Sequence, residues 1–200
     1  MSKISTFVRA VAAGATIAIG GTVYLSLEIP LAGALLFSVG LYLICVQGLN
    51  LFTGKVGYAV NEKPAYLLDL ALIWLGNYAG TALCAGLLRL TRVAGIAEKA
   101  ARLCAVKQGD SLLSLLILGV FCGILMYGAV DSYKKTQNPL VLFACVSVFI
   151  LCGFEHCIAD MFYFSLCGLF SGSVLLRLLV ITAGNALGGI LLPLAAKLKS

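Results

Sequence analysis

Apolar residues run along this chain in long blocks, at about 7–27, 31–60, 66–90, 111–130, 139–170 and 174–196, and the short connections between them hold most of the charge. A run of ~20 apolar residues crosses a bilayer as a helix. The pattern therefore predicts an all-α integral membrane protein, a single transmembrane domain over 1–200 with six membrane-spanning helices. The four prolines, Pro30, Pro64, Pro139 and Pro193, fall at or near block ends, where a missing N–H costs little. No small-residue cleavage site follows the first block, so it reads as a permanent span rather than a signal peptide.

Two blocks are interrupted. The second breaks at Gln47-Gly48-Leu49-Asn50-Leu51-Phe52-Thr53-Gly54, and the fifth at Cys152-Gly153-Phe154-Glu155-His156-Cys157-Ile158-Ala159-Asp160. A Glu, a His and an Asp within six residues are costly in hydrocarbon. Polar or irregular backbone at that depth is tolerated where it lines a cavity or is buried in protein. The spacing also suggests an internal repeat: Gly14 matches Gly119, Thr53 matches His156, and Gly76-Asn77-Tyr78-Ala79-Gly80 matches Gly184-Asn185-Ala186-Leu187-Gly188. Two halves, about 1–100 and 101–200, each with three spans, must insert with opposite orientation. Inverted repeats (3+3) with broken helices two and five point to a channel or transporter whose pathway runs between the breaks. The Gly-x-x-x-Gly pairs read as close helix packing, with Asn77 and Asn185 tying the broken segments to the third helix of each half.

Composition sharpens this picture. At 62% hydrophobic and 11% charged residues, with a mean hydropathy of +1.07, the chain is not a soluble enzyme. No nucleophile–base pair, metal cluster or phosphate loop stands out, so neither an enzyme nor a cofactor is expected. The net charge of +6 is spread, with no basic run longer than Lys134-Lys135, which sets nucleic acid aside. Eight cysteines show no CxxC spacing, and only Cys104 lies outside the apolar blocks; they read as small helix residues. With both termini cytoplasmic, Lys3, Arg9, Lys55, Lys63, Lys134, Lys135, Lys197 and Lys199 lie inside, against Arg89, Arg92, Lys99, Arg102, Lys107 and Arg177 outside. That is a small positive-inside bias. The outer excess falls in 89–107, long enough for a short amphipathic helix, and basic residues at both mouths would gather small anions.

The segments Asn50-Leu51-Phe52-Thr53-Gly54, Gly76-Asn77, Gly153-Phe154-Glu155-His156-Cys157-Ile158-Ala159-Asp160-Met161-Phe162 and Gly184-Asn185 together resemble the formate/nitrite transporter family. The resemblance implies an aquaporin-like homopentamer in the inner (plasma) membrane, with one pore per protomer for formate, nitrite or hydrosulfide. Carried over, the central histidine is His156 and the loop threonine Thr53. The constrictions become Leu41 and Leu51, with Phe52 beside it, on the cytoplasmic side, and Phe37 and Phe149 with Met126 on the outer side. Lys107 matches a lysine near the outer vestibule. The family usually begins with an amphipathic gating helix, which is not expected here. It often has Asn where this chain has Asp160 and Gly123. The connection between spans five and six, about 170–174, is short.

A bare anion crosses apolar rings at a cost of many kcal/mol, whereas a neutral acid does not. His156, the only histidine, can exchange a proton near neutral pH. The mechanism expected is entry from a basic vestibule, transient protonation by His156, and a hydrogen bond from Thr53. The alternative for His156 is structural, a fastening between the two breaks. Asp160, four residues on, would share a helical face with His156 and favour the imidazolium, and Glu155 would accept backbone N–H groups freed by the break. A competing function is a neutral-solute channel for water or ammonia without proton chemistry. It would show paired Asn-Pro-Ala type caps, and the chain's one Asn-Pro, Asn138-Pro139, lies at a span entrance.

Overall fold

The computed structural model describes residues 2–198, so Lys199, counted above with the inner basic residues, lies outside the described residues. The chain forms α1 (Lys3–Ser26), α2 (Pro30–Val46), α3 (Phe52–Lys55), a 3₁₀ segment (Val56–Asn61), α4 (Tyr66–Leu88), α5 (Ile96–Gly109), α6 (Leu112–Thr136), α7 (Leu140–Leu151), α8 (Cys157–Leu166) and α9 (Gly172–Lys197). By length and composition α1, α4, α6 and α9 can each cross a membrane; α2, α7 and α8 are shorter apolar helices. The second block therefore divides into α2, α3 and the 3₁₀ segment, and the fifth into α7 and α8.

Local chemistry sets these boundaries. Ser2, Ser111 and Ser171 cap α1, α6 and α9 by accepting from Ser5, Ser114 and Val174 N–H. Pro30 starts α2, where its fixed φ suits the first turn. Helices α2 and α7 stop because Gly48 and Gly153 take φ of +61° and +68°, a region open to glycine. Both ends are Schellman motifs, with Leu49 N–H on Ile44 C=O and Phe154 N–H on Phe149 C=O, each 2.9 Å.

Helix α1 packs on α4, α6 on α9, and α2 on α7. Glycine sets the closeness of the first two pairs. A Cβ at Gly80 would lie 2.0 Å from Val11 O, and one at Gly188 would lie 1.9 Å from Val120 O. The expected amphipathic connection is α5, which packs against α8 and carries Lys107.

Candidate functional site

The two breaks are built alike. After α2, Asn50 N–H reaches Arg9 C=O at 3.4 Å; after α7, Glu155 N–H reaches Leu118 C=O at 3.4 Å. Asn77 Oδ1 accepts from Phe52 N–H at 2.9 Å, and its amide donates to Ala10 and Asn50 carbonyls, both at 2.8 Å. Asn185 Oδ1 accepts from Cys157 N–H at 2.9 Å and donates to Gly119 and Glu155 carbonyls at 2.8 and 2.7 Å. Each asparagine, fully buried, thus pairs the first free N–H of a half-helix and a carbonyl of the break that no helix bond satisfies. The pattern corrects two matches made on spacing alone. Gly14 meets the Asn77 carbonyl as Gly123, not Gly119, meets that of Asn185. His156 occupies the place of Leu51, immediately before the bonded N–H, and Thr53 falls two residues deeper than that position.

That offset brings the breaks together. Thr53 Oγ1 and His156 Nε2 are 2.9 Å apart, and both residues are buried. His156 also caps α8: Ala159 N–H donates to Nδ1 at 3.1 Å. A backbone N–H only donates, so Nδ1 carries no proton and the ring is the neutral Nε2–H tautomer, donating to Thr53. The threonine's own hydroxyl hydrogen is left to donate elsewhere. The Phe149 ring stacks on the imidazole with centroids 5.5 Å apart, and Phe37 meets Phe149 edge-on at 6.0 Å.

Two cavities approach this pair from opposite ends of α6. One of about 240 Å³ lies by the C-terminal ends of α2 and α6 and is lined by Leu51, Gly54, Lys55, Val130, Tyr133 and Lys134. The other, about 150 Å³, lies under α5 and is lined by Lys107, Phe149, Glu155, His156, Asp160 and Tyr163. Leu41, Phe37, Phe52 and Met126 line neither cavity and are buried. Met126 lies just past the middle of α6 as counted from Leu112. Phe52 gives its backbone N–H to Asn77 in the first break. Tyr133 and the Lys134 ammonium, 3.9 Å from the Tyr58 ring centre, are cavity residues that the sequence signalled only as the basic end of a span.

Lys107 does not stand as a free cation at a vestibule. Its ammonium pairs with Glu155 and, at 2.9 Å, with Asp160. Burial alone would lower its pKa, but the two carboxylates override that and hold it above the ordinary lysine value. Two sequence expectations are corrected here. Asp160 turns to Lys107 and makes no bond to the imidazole, whose nitrogens are taken by Thr53 and Ala159. Glu155 gives its carboxylate to Lys107 rather than to freed N–H groups, a task that Asn185 and the His156 ring perform. Among the described residues, one carboxylate oxygen, Asp160 Oδ2, has no hydrogen-bond partner.

The same architecture occurs in solved channels. A structure titled "FNT family ion channel" superposes with a TM-score of 0.86 at 23% identity, covering 98% of this chain and 90% of that one. A "Pentameric formate channel with formate bound" gives 0.82 at 23% identity, covering 98% and 97%. Among sequence relatives, formate channel FocB of Escherichia coli (strain K12) is 31% identical over 80% of this chain, and formate channel FocA of Haemophilus influenzae is 25% identical over 78%. The chain spans 66% and 64% of the lengths of those two relatives. The family model described as "Formate/nitrite transporter" matches residues 1–198. With the paired breaks and the histidine between two cavities, that match assigns the chain to the formate/nitrite transporter family.

Proposed function

We propose that this chain, as a single transmembrane domain of six spans in two inverted halves (about 1–100 and 101–200), forms a pore for small monovalent anions of weak acids. Formate is the first candidate substrate, because the similar FocA and FocB are named formate channels; nitrite is of like size and charge, and hydrosulfide is a smaller anion of the same charge. A homopentamer in the inner (plasma) membrane with cytoplasmic termini follows by analogy with the pentameric neighbour.

The observation that carries the proposal is the Thr53–His156 hydrogen bond between the two cavities. The resting ring is a neutral donor, and the Thr53 hydroxyl is free to donate to an arriving anion. To act as an acid the ring first takes a proton at Nδ1, which displaces Ala159 N–H and gives up a cap bond worth ~1 kcal/mol. The proton then passes to the anion, directly or through water, and the neutral acid crosses the apolar neck around Phe37 and Phe149. Restoring the Nδ1 cap returns the ring to its starting tautomer.

The test is flux of formate, nitrite and hydrosulfide through proteoliposomes holding wild type or His156→Ala, each first checked for its assembly by size. The proposal expects a loss of at least tenfold for the transported anion in the variant. Equal flux for every anion would end the protonation scheme. Water or ammonia flux without anion flux in wild type would replace it with a neutral-solute channel.

A further inference from the structure

One pair of groups lies outside everything used above. Cys104, on α5, and Cys167, at the C-terminal end of α8, place their sulfur atoms 3.8 Å apart, with Cys104 S–H donating to Cys167. Cys104 is fully buried and Cys167 half-buried. Gly168, φ +67°, turns the chain directly after Cys167 and brings the Arg89 guanidinium alongside. Cys167 is the more exposed of the two, so Cys167 is the thiol a small reagent meets first and Cys104 the buried partner behind it. Both sit at the end of the molecule where α5 joins α4 to α6, away from the termini.

From this geometry we infer that Cys104 and Cys167 are a modification site, a thiol pair that closes to a disulfide on exposure to a small-molecule disulfide and opens on reduction. Closing the 3.8 Å gap to an S–S bond of ~2.0 Å takes a small approach of α5 to α8, two elements already packed. The step balances with oxidised glutathione as the oxidant. The Cys167 thiolate attacks one glutathione sulfur and expels a glutathione thiolate. Cys104 then attacks the Cys167 sulfur of the mixed disulfide and expels the second. Two protein thiols are oxidised, one disulfide is reduced to two thiols, and the two thiol protons end on glutathione.

The link would act close to the pore. Lys107 follows Cys104 by three residues, on the same side of α5, and its ammonium holds Glu155 and Asp160 beside His156. A disulfide staples α5 to the helix that His156 caps and fixes Lys107 over the smaller cavity. Such a bond persists in an oxidising compartment and is lost in a reducing one.

The full chain in detergent is treated with oxidised glutathione, alkylated under denaturing conditions and digested for peptide mass spectrometry. Expected are a Cys104–Cys167 linked peptide lacking two hydrogens, its disappearance with dithiothreitol, and a rise in thermal midpoint of several degrees. In Cys104→Ala the link is absent, a glutathione adduct accumulates on Cys167, and the midpoint does not rise. Glutathione on the exposed Cys152 with no link between 104 and 167 would overturn the inference, since the reagent had then reached a folded protein in vain. A link that forms only after denaturation would overturn it equally. A native link without a midpoint shift would refute the staple.

Discussion

Replacing Asn185 by Leu tests the bracing of the histidine-bearing break, and its cost follows from the bonds lost. Leucine matches asparagine in branching and number of heavy atoms but is bulkier, so the change removes hydrogen bonds without opening a cavity and adds some crowding. Three backbone groups lose a partner: Cys157 N–H, Glu155 C=O and Gly119 C=O. Gly119 lies within α6 and keeps its helical acceptor bond, so its loss is small. Cys157 N–H is the first donor of α8 and has no helical alternative, and an orphaned buried group of this kind costs about 1–3 kcal/mol. Glu155 lines the smaller cavity, and a water bridging from there would hold the cost of its freed carbonyl to ~1 kcal/mol. The sum is about 2–4 kcal/mol. Asn77→Leu orphans the equivalent groups, Phe52 N–H and Asn50 C=O, and should cost about as much. The two asparagines share no partner, so the double variant should be near additive. Denaturant unfolding in detergent, followed by the fluorescence of the sole tryptophan, Trp74, measures all three. Losses below ~1 kcal/mol in both single variants would refute the claim that these amides hold the breaks.

Further predictions follow from contacts in the same region. Gly188→Ala forces a Cβ onto Val120 O and should lower stability by at least ~1–3 kcal/mol, whereas Gly86→Ala, with nothing within 4 Å, should gain ~0.5–1 kcal/mol; thermal unfolding separates the signs. Thr53→Val removes the acceptor of His156 Nε2–H and should lower anion flux in proteoliposomes about tenfold, while Thr53→Ser keeps the oxygen and should retain most of it. Lys107→Met strands two buried carboxylates and should cost about 3–5 kcal/mol at neutral pH. Protonating those carboxylates removes the unpaired charge, so the deficit should shrink as pH falls from 7 to 5 in unfolding measurements.

The apolar blocks and the two breaks were legible because each has a local cause: runs long enough for a helix, then glycine and polar residues where a helix cannot continue. The register between the halves was not. From Gly14 to the break at Gly48 is 48 − 14 = 34 residues, but from Gly123 to Gly153 is 153 − 123 = 30. Over this stretch the second half is shorter by four residues, close to one helical turn, so a fixed spacing lands on Gly119, one turn from Gly123 on the same face. Only the contacts with Asn77 and Asn185 choose between them. Lys107 was visible as a basic residue but not as the partner of Glu155 and Asp160, because that pairing depends on how α5 folds back over α8, a long-range contact with no local signature. The tautomer of His156 was hidden for a similar reason: its α8 cap becomes apparent only once the helix is seen to start at Cys157.

The cluster under α5 leads to a prediction opposite to the one that spacing suggests. On spacing alone, Asp160 four residues after His156 should stabilise an imidazolium, and Asp160→Asn should shift the pH dependence of transport. In the fold the carboxylate lies on Lys107 and the ring's nitrogens are bound elsewhere, so Asp160 reaches the ring only through space, and the pH profile of Asp160→Asn should move much less than loss of a direct ion pair would move it. The rate should change instead. Where Lys107, Glu155 and Asp160 are all ionised, the cluster carries one net negative charge on a cavity that an anion must enter. At an effective dielectric constant of ~20, that charge opposes an anion about 8 Å away by ~2 kcal/mol, and salt reduces this. Asp160→Asn leaves the Lys107–Glu155 pair neutral, so formate flux into proteoliposomes should rise two- to tenfold at low ionic strength and approach wild type near 1 M salt. A strongly shifted pH profile would instead place the carboxylate in electrostatic contact with His156 during transport. Slower flux with an intact fold would mean that the extra charge carries protons rather than repels anions.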